Sequence, residues 1–481
     1  MGGAEAARGD GGGAGDGAAQ GPPRRPLRIL VVTNMYPPHA YGGYELGCRD
    51  VVDRWRRRGH EVAVLTSTVR LPGATDGDGA EPSAEGPTDP TEVRRQLRLY
   101  WEDHAILRPG PVRRLRWELA NRRALDRALA SFRPDVCSVW AMGALSLGLL
   151  ARPARRSVPV VPVICDEWPV YGPHLDAWVR MFGTRPRLGR VARALTGLPV
   201  TAPDLDALGP ACFGSAWLCA RVRAGSPWRF PHARVVPWGI DPERFAAASG
   251  TTGGAPWRWR LLYVGRIDPR KGVDVAIRAL ARCPPEATLA VVGRGDDRHL
   301  SELGDLARAL GVGERVTFGA ASRAELAERY RAADAVVFPP VWDEPFGMVP
   351  LEAMACGTPV VASPTGGSAE FLDDGSNCLA FPAGDAEALA GALARLAGDP
   401  ALAHALATAG LDTARRFTVD RLAQRLEDVH RGAVDAPVAE RTRQPPAPST
   451  PGGAPQRAGA TSGEKAASSA ASRARATGSA R

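Results

Sequence analysis

The sequence predicts an α/β protein with two domains, each built on a parallel sheet. Short apolar runs rich in Val, Ile and Leu alternate with amphipathic helical segments through most of the chain, which is the pattern of strand–helix–strand units. A glycine-rich stretch at 250–254 separates two such series. With 481 residues, 44% of them hydrophobic, the chain has enough apolar side chains for two substantial cores.

Composition marks both ends of the chain as different from its middle. Residues 1–26 are rich in Gly and Ala, and residues 436–481 in Pro, Ala, Ser and scattered Arg, so both segments are predicted to be disordered, the second as a basic tail. Between them, residues 27–245 are predicted to form an N-terminal Rossmann-like domain and residues 258–415 a second one. A predicted helix at 416–432 follows.

The charge and the cysteines limit the classes of function. The net charge of +9 favours an anionic partner: nucleic acid, a membrane surface or a phosphorylated substrate. Nucleic acid is disfavoured, because no motif of interleaved aromatic residues supports it. The eight cysteines include no C-x-x-C pair, and no signal peptide is visible, which indicates reduced core residues of a cytoplasmic protein. The longest uncharged run, at 136–151, is too short to span a bilayer.

A basic amphipathic helix predicted at 111–132 is the candidate for peripheral contact with the inner membrane face. Six arginines lie among leucines and one tryptophan in this segment. Such a helix can rest on anionic lipid. It can also pack on a sheet with its basic face in water, and the sequence leaves both interpretations open.

Two glutamates lie eight residues apart in the most distinctive stretch of the chain. The sequence at 335–362 predicts a buried strand, a Pro-rich loop with Glu344, a short helix with Glu352, and a second strand. A Gly-Gly turn at 366–367 follows and is predicted to open another helix. Helical side chains lean toward the N-terminus, so the Glu352 carboxylate can face the same opening as Glu344. The amides bordering this opening belong to Phe346, Gly347, Met348 and Val349. Acceptors for sugar hydroxyls beside donors for a phosphate predict a nucleotide-sugar site, although an ordinary helix residue and a solvated loop acid have the same spacing.

A second candidate pair, Arg266 and Lys271, lies in the turn that joins a strand at 261–264 to the following helix. Two fixed cations at a strand-to-helix junction suit a diphosphate, which the positive end of the helix dipole also favours. An Arg and a Lys five residues apart are, however, more often plain surface charges. The spacing alone leaves both alternatives.

Three further positions follow predicted strands. Gly42 and Gly43 open a helix after the strand at 27–32, where a phosphate can approach unpaired amides closely, although a plain turn has the same sequence. Asp166 directly follows the apolar run 158–164 and is expected to line the ligand crevice, which lies at the carboxyl ends of such strands. Gly293 has no third glycine to complete a dinucleotide fingerprint, so it is predicted only to turn the chain near a base or ribose.

The stretch 336–371 resembles the E-x7-E signature of glycosyltransferase family 4, whose members are retaining, metal-independent enzymes of the GT-B fold. The similarity extends through E-P-F-G, L-E-A-M-A-C-G-T-P-V-V and G-G-x-x-E, and through R-x4-K at Arg266 and Lys271. It covers roughly residues 27–431 in the expected order. The resemblance implies two facing Rossmann-like domains, with the last helix crossing back onto the first.

The resemblance also implies roles for the candidate residues. Glu344 would hold hydroxyls of the donor sugar, Glu352 the ribose, and Asp166 would orient the sugar or the acceptor. Family members commonly carry His-Asp where this chain has Cys165-Asp166, so no histidine role transfers. The implied catalytic residues are Glu344, Arg266, Lys271 and Asp166. The implied donor-binding residues are Gly42, Gly43, Gly293, Phe346, Gly347, Met348, Val349 and Glu352.

Protein groups, not a metal ion, would then stabilise the departing diphosphate. None of the carboxylates is implied to be a nucleophile, because family 4 enzymes are thought to transfer the sugar on one face, with the leaving phosphate helping to deprotonate the acceptor. The D-x-D triplet at 204–206 has the form of a metal site in other glycosyltransferases. It lies between turn residues here and is predicted to be a solvated turn.

The resulting prediction is a bacterial-type, retaining hexosyltransferase that uses a nucleotide-sugar, with UDP-sugar favoured over GDP-sugar and no cofactor or metal. A lipid-linked sugar, a polysaccharide and a small metabolite all remain open as the acceptor. One alternative is a 2-epimerase-like enzyme, which would release a changed nucleotide-sugar without an acceptor. Another is a non-catalytic nucleotide-sugar-binding protein, against which the intact charged motifs argue.

Overall fold

The computed structural model describes residues 25–71, 93–102, 105–247 and 256–437. The predicted tail beyond 437, most of segment 1–26 and the glycine-rich stretch 250–254 lie outside these residues. The predicted α/β layers are present as two sheets of parallel strands with helices packed on them. Within the described ranges, no helix is both long enough and apolar enough to cross a bilayer.

The first sheet has seven described strands in the order β3-β2-β1-β6-β7-β8-β9. They are β1 (Arg28–Val32), β2 (Glu61–Ser67), β3 (Val93–Leu97), β6 (Val136–Val139), β7 (Val160–Ile164), β8 (Cys212–Phe213) and β9 (Arg234–Val235), with a separate antiparallel pair β4 (Trp101–Glu102) and β5 (Ala105–Ile106). The helices of this half are α1 (Gly43–Arg57), α2 (Pro111–Phe132), α3 (Ala151–Ala154), α4 (Trp168–Leu175), α5 (Ala177–Gly183), α6 (Pro186–Thr196) and α7 (Ala216–Gly225).

The second sheet has the order β12-β11-β10-β13-β14-β15. Its strands are β10 (Arg260–Val264), β11 (Thr288–Val292), β12 (Val316–Gly319), β13 (Ala335–Phe338), β14 (Val360–Ala362) and β15 (Leu379–Ala380). Its helices are α8 (Val273–Leu280), α9 (Asp297–Ala309), α10 (Arg323–Ala332), α11 (Met348–Ala355), α12 (Ala386–Gly398) and α13 (Pro400–Ala414). In both sheets the strand order reverses beside the first strand, between β1 and β6 and between β10 and β13, which is where α/β sheets open a crevice at their carboxyl ends.

The last helix, α14 (Val419–Asp435), crosses back to the first sheet, as expected. It packs on α1 and reaches β6 and β7. The Trp55 ring nitrogen donates to the carbonyl oxygen of Ala423 at 3.0 Å. One buried apolar cluster runs from β1 and α1 into β13, α11 and α14, so the two halves share a continuous core.

Three local predictions can be compared with the structure. The helix predicted to open at Gly366 is only a 3-10 helix, Gly366–Glu370, because Gly366 has a φ of +56° and the Ser368 hydroxyl donates back to the Thr365 carbonyl at 2.7 Å. The predicted bounds of α2 are confirmed, and this helix packs on the first sheet with Ala124, Leu125, Ala128 and Leu129 buried. All eight cysteines carry free thiols, and seven of them are buried.

Candidate active site

The two candidate loops of the second domain lie side by side because β10 and β13 are neighbours. Arg266 and Lys271 follow β10, and Glu344 follows β13. Gly272 brings the loops together: its φ is +67°, and a Cβ at this position would lie 1.9 Å from the Pro339 carbonyl oxygen. A glycine is therefore required where the loop after β10 touches the start of the loop after β13.

The Lys271 ammonium forms an ion pair with the Glu344 carboxylate in this structure. Both side chains are largely buried, at 17% and 7% exposed. The Trp342 ring nitrogen donates to the same carboxylate at 3.1 Å, and its ring faces Lys271 at 5.2 Å and Arg270 at 4.6 Å. The site thus contains a cation, a carboxylate and an indole that hold one another in place.

Arg266 differs from Lys271 in being half exposed. Its guanidinium lies 4.0 Å from Asp268, and its side chain is 49% exposed. Its backbone oxygen accepts a hydrogen bond from the Tyr263 hydroxyl at 2.7 Å, which anchors the loop. The charged end of Arg266 is therefore accessible to an anion in the cleft.

The first turns of α1 and α11 approach each other from opposite domains. A Cβ at Gly43 would lie 3.3 Å from the sulfur atom of Met348, the first residue of α11. Gly42 donates its amide to the Glu45 carboxylate at 3.0 Å, which fixes the start of α1. The positive dipole ends of two helix N-termini thus approach each other, an arrangement that suits a phosphate.

Two predicted donor-binding residues have structural roles that sequence reasoning did not assign. The Phe346 side chain is buried and packs on Phe371 and Phe417, with ring centroids 5.3 and 5.9 Å away. The Gly293 amide donates to the Gly319 carbonyl at 2.8 Å, so that amide is not available to a ligand. A Cβ at Gly293 would lie 1.8 Å from the Gly265 carbonyl oxygen, which shows why the residue is glycine.

The loops at the switch point border a small cavity. It has a volume of about 40 Å³ and is lined by Tyr263, Gly265, Lys271 and Val349, among others. A wider depression of about 740 Å³ is lined by Arg25, Leu27 and residues of α14, and by none of the candidate site residues. The candidate site is consequently identified by its charges and amides, not by cavity volume.

Glu352 has a different set of neighbours from Glu344. It is 8% exposed and accepts a hydrogen bond from the Tyr330 hydroxyl at 2.7 Å. Burial raises the pKa of its carboxyl, while Tyr330 and the nearby Arg323 act in the opposite direction. Arg323 in turn pairs with Asp50 of α1, so Glu352 lies where the two domains are joined.

Asp166 lies at the end of β7, as predicted, and its carboxylate is held by two donors. The Trp168 amide donates at 3.1 Å and the Tyr171 hydroxyl at 2.8 Å. Burial raises the pKa of Asp166 to about 6. Burial also raises the pKa of Glu45, which Asp166 raises further and Arg266 lowers. These effects place Asp166 and Glu45 of the first domain in one electrostatic environment with Arg266 of the second.

Cys165 occupies the position where the resemblance implied histidine. Burial raises the pKa of its thiol well above the ordinary value, and Asp166 adds to this shift. The side chain is therefore a neutral thiol, which is a weak hydrogen-bond donor. It cannot supply the charge or the strong donor of an imidazole.

The two aspartates of the D-x-D triplet stabilise a loop by accepting hydrogen bonds from its backbone amides. The Asp206 carboxylate accepts the amides of Arg229 and Phe230, at 3.0 and 2.6 Å, and Asp204 accepts the Asp206 amide at 3.0 Å. Among the residues that the structure describes, no group of three or more His, Cys, Asp or Glu side chains could hold a metal ion.

Sequence reasoning missed four residues around the site. Trp342 and Glu45 lie within three residues of predicted positions, and the capping spacing from Gly42 to Glu45 could have indicated the latter. The other two, Tyr330 and Arg323, reach the site only through the tertiary fold.

Family models match both halves of the chain. The model for glycosyl transferases group 1 matches residues 256–412, and the model for the glycosyl transferase 4-like domain matches residues 42–212.

Curated relatives are enzymes of sugar transfer. The D-inositol 3-phosphate glycosyltransferase of Stackebrandtia nassauensis is 38% identical over 228 residues, covering 44% of this chain and 51% of that enzyme. The chain thus matches about half the length of this relative. The glycogen synthase of Mycobacterium tuberculosis is 31% identical over 402 residues, covering 80% of this chain and 89% of the relative.

Solved structures share the fold. Anabaena HepE, in complex with UDP and glucose, has a TM-score of 0.59 and 21% identity, covering 84% of this chain and 98% of that one. Sucrose-phosphate synthase from Thermosynechococcus elongatus has a TM-score of 0.61 and 22% identity, covering 85% and 99%.

Proposed function

The chain belongs to the glycosyl transferases of group 1, and we propose that it transfers a hexose from a nucleotide-diphosphate sugar to an acceptor hydroxyl, with retention of configuration and without a metal ion. The observation that carries the proposal is the Lys271–Glu344 pair at the switch point of the second sheet. This ion pair lies on the loops that follow β10 and β13. The first turns of α1 and α11 approach each other beside these loops.

The leaving diphosphate is stabilised by positive groups of the protein. Cleavage of the bond between the sugar and the diphosphate builds negative charge on the leaving oxygen. Lys271 and the accessible Arg266 supply full positive charges, and the first-turn amides of α1 and α11 supply fixed dipoles. The two cations and the two sets of amides are held in place by the fold before the donor binds. They therefore need little reorganisation during the reaction.

The carboxylates bind and orient the sugars. Glu344 forms an ion pair with Lys271. A donor phosphate would compete for that cation and release the carboxylate to sugar hydroxyls. Glu352 binds the ribose, with Tyr330 fixing its carboxylate. Asp166, oriented by Tyr171, accepts a hydrogen bond from the sugar or the acceptor.

A UDP-sugar is the favoured donor, and HepE, which shares the fold, is solved with UDP. The relatives do not identify one class of acceptor, because one is named for D-inositol 3-phosphate and another for glycogen. A lipid-linked sugar, a polysaccharide and a small metabolite all present suitable hydroxyls.

The proposal is tested by donor binding followed by transfer. UDP, GDP and ADP and their sugars are screened for a rise in melting temperature, because a ligand that binds the native state stabilises it. The stabilising donor is then incubated with the acceptor classes, and the release of nucleoside diphosphate and the new glycoside are measured with and without EDTA.

Transfer should survive EDTA and fall by at least about 100-fold in Lys271→Ala and Glu344→Ala. Arg278→Ala, which removes an exposed cation from α8, is the matched control and should transfer normally. Normal turnover by Lys271→Ala, loss of activity on chelation, or conversion of the donor sugar without any acceptor would each overturn the proposal.

A further inference from the structure

The outer face of α6 carries an apolar stripe that the described part of the chain leaves uncovered. Leu188, Val191 and Leu195 are 50%, 54% and 82% exposed. They are three and four residues apart, so their side chains align along one face of the helix. Gly189 is buried, and Ala192 packs against the rest of the domain. The apolar stripe therefore lies next to the face through which α6 contacts the domain.

Arginines surround this stripe, and acidic residues are absent from the segment. Residues 177–198 contain five arginines and no Asp or Glu. Arg187, Arg190 and Arg193 of α6 are all exposed, and none has an ion-pair partner within the described ranges. An exposed apolar stripe with unneutralised cations beside it is the pattern of a helix that lies in a membrane interface.

The neighbouring helix α2 adds positive charge near α6 and does not cover the apolar stripe. Leu115 and Leu119 of α2 pack in the same small cluster as Ala192. The Arg122 guanidinium donates to the Thr196 carbonyl at 2.5 Å, which holds the end of α6. Arg113 and Arg116, at the start of α2, are exposed one turn or less from Leu115. The two helices therefore bring positive charge to one region of the first domain.

We propose that α6 docks the protein on an anionic lipid bilayer. Leu188, Val191 and Leu195 enter the interface, and Arg187, Arg190 and Arg193 contact lipid phosphates. Lipid suits this surface better than nucleic acid, because the stripe consists of aliphatic side chains that cannot stack on bases. The proposal goes beyond sugar transfer and moves the membrane contact expected for α2 onto α6, since α2 buries its apolar face on the sheet.

Co-sedimentation of the full chain with vesicles tests the proposal. Vesicles of phosphatidylcholine alone are compared with mixtures that contain phosphatidylglycerol, at rising salt. The native chain should bind only the anionic vesicles, and salt should weaken the binding. Leu188→Ser/Leu195→Ser removes apolar contact, and Arg187→Glu/Arg190→Glu/Arg193→Glu reverses the charge. Each should weaken binding by at least about tenfold.

Two matched controls make the same changes elsewhere. Val235→Ser/Phe318→Ser replaces two exposed apolar side chains on strands. The second control, Arg278→Glu/Arg395→Glu/Arg421→Glu, changes the net charge equally on exposed helical positions away from α6. Both controls should bind vesicles as the native chain does. Melting temperatures check that every variant is folded.

Several outcomes would overturn membrane docking. Equal binding to neutral vesicles, normal binding by both α6 variants, or equal losses in the controls would contradict it. A native dimer that Leu188→Ser/Leu195→Ser converts to a monomer would assign the stripe to a second copy of the chain, and binding to an acidic protein without lipid binding would assign it to that class of partner. Transfer to a water-soluble acceptor should be unchanged in all four variants, so a failure of docking is distinguishable from a failure of the proposed function.

Discussion

Arg323 at the start of α10 forms a two-pronged ion pair with Asp50 of α1, with oxygen–nitrogen distances of 2.9 and 2.7 Å. The side chains are 13% and 8% exposed, so the pair is nearly buried at the junction of the two domains. Because α1 begins at the candidate phosphate site and Arg323 lies near Glu352, this contact links the position of a helix N-terminus to the proposed ribose carboxylate.

Arg323→Met should lower the free energy of unfolding by about 2 to 3 kcal/mol, because it leaves a nearly buried Asp50 carboxylate without its main partner. Arg244 remains 4.0 Å from that carboxylate and limits the loss. Arg298→Met is the control, since the Arg298–Glu302 pair is 84% and 55% exposed and should contribute at most about 1 kcal/mol. Urea unfolding measures both, and equal effects would contradict a stabilising role for the Asp50 pair.

Local sequence signals predicted the strands and the loops that carry the site. The helix predicted at 111–132 has the bounds that the structure shows, and the strand predicted at 261–264 differs from β10 by one residue, because periodicity and breakers are local properties. The family resemblance, and not a local signal, predicted that Lys271 and Glu344 both belong to the catalytic site. Contacts such as Arg323–Asp50 join residues 273 positions apart, and no spacing rule reports them. The exposure of the α6 stripe likewise depends on what the tertiary fold leaves uncovered.

The activity of the native enzyme should fall as the pH drops through about 6, the pKa to which burial raises Asp166. An ionised Asp166 accepts a hydrogen bond from a substrate hydroxyl, and the protonated form loses that capacity. The kcat/KM of Asp166→Asn should be lower and should not show this step. A step of the same size in Asp166→Asn would assign the titration to another group.

Asp166 should also reduce stability above pH 6. Its folded pKa is above the ordinary value of 3.8, so the native state binds the proton more tightly than the unfolded chain does. This favours the native state in acid, and the advantage disappears as the pH rises through the folded pKa. Asp166→Asn should therefore gain melting temperature relative to the native chain when the pH is raised from about 4.5 to about 7.5. A difference that does not change with pH would contradict the raised pKa.

Gly272→Ala should be much more destabilising than Gly311→Ala, although both glycines have left-handed backbone angles, φ of +67° and +71°. No atom lies within 4 Å of a Cβ at Gly311, so only backbone strain of about 1 kcal/mol is expected there. At Gly272 the Cβ would meet the Pro339 carbonyl oxygen at 1.9 Å, which must separate the loops that carry Lys271 and Glu344. Unfolding assays should show a much larger loss of stability in Gly272→Ala than in Gly311→Ala, and only Gly272→Ala should lose transfer activity. Equal stabilities would mean that the loops can part freely.

Trp342 offers a way to separate positioning of Glu344 from the charge of that carboxylate. Trp342→Phe keeps an aromatic ring near Lys271 and Arg270 but removes the ring nitrogen that donates to Glu344 at 3.1 Å. A lost hydrogen bond to a charged group should raise the KM for the donor by about tenfold and leave the KM for the acceptor unchanged.

Trp342→Leu also removes the ring face, so it should weaken donor binding by a further factor of about three. The distinction is informative because a ring that only fills space would be replaced by leucine with little additional loss. If Trp342→Phe has native kinetics, the indole hydrogen bond does not position Glu344. If Trp342→Leu and Trp342→Phe bind the donor equally well, the contact of the ring with Lys271 and Arg270 contributes nothing to donor binding. The Lys271–Glu344 pair must then be oriented by the loops alone.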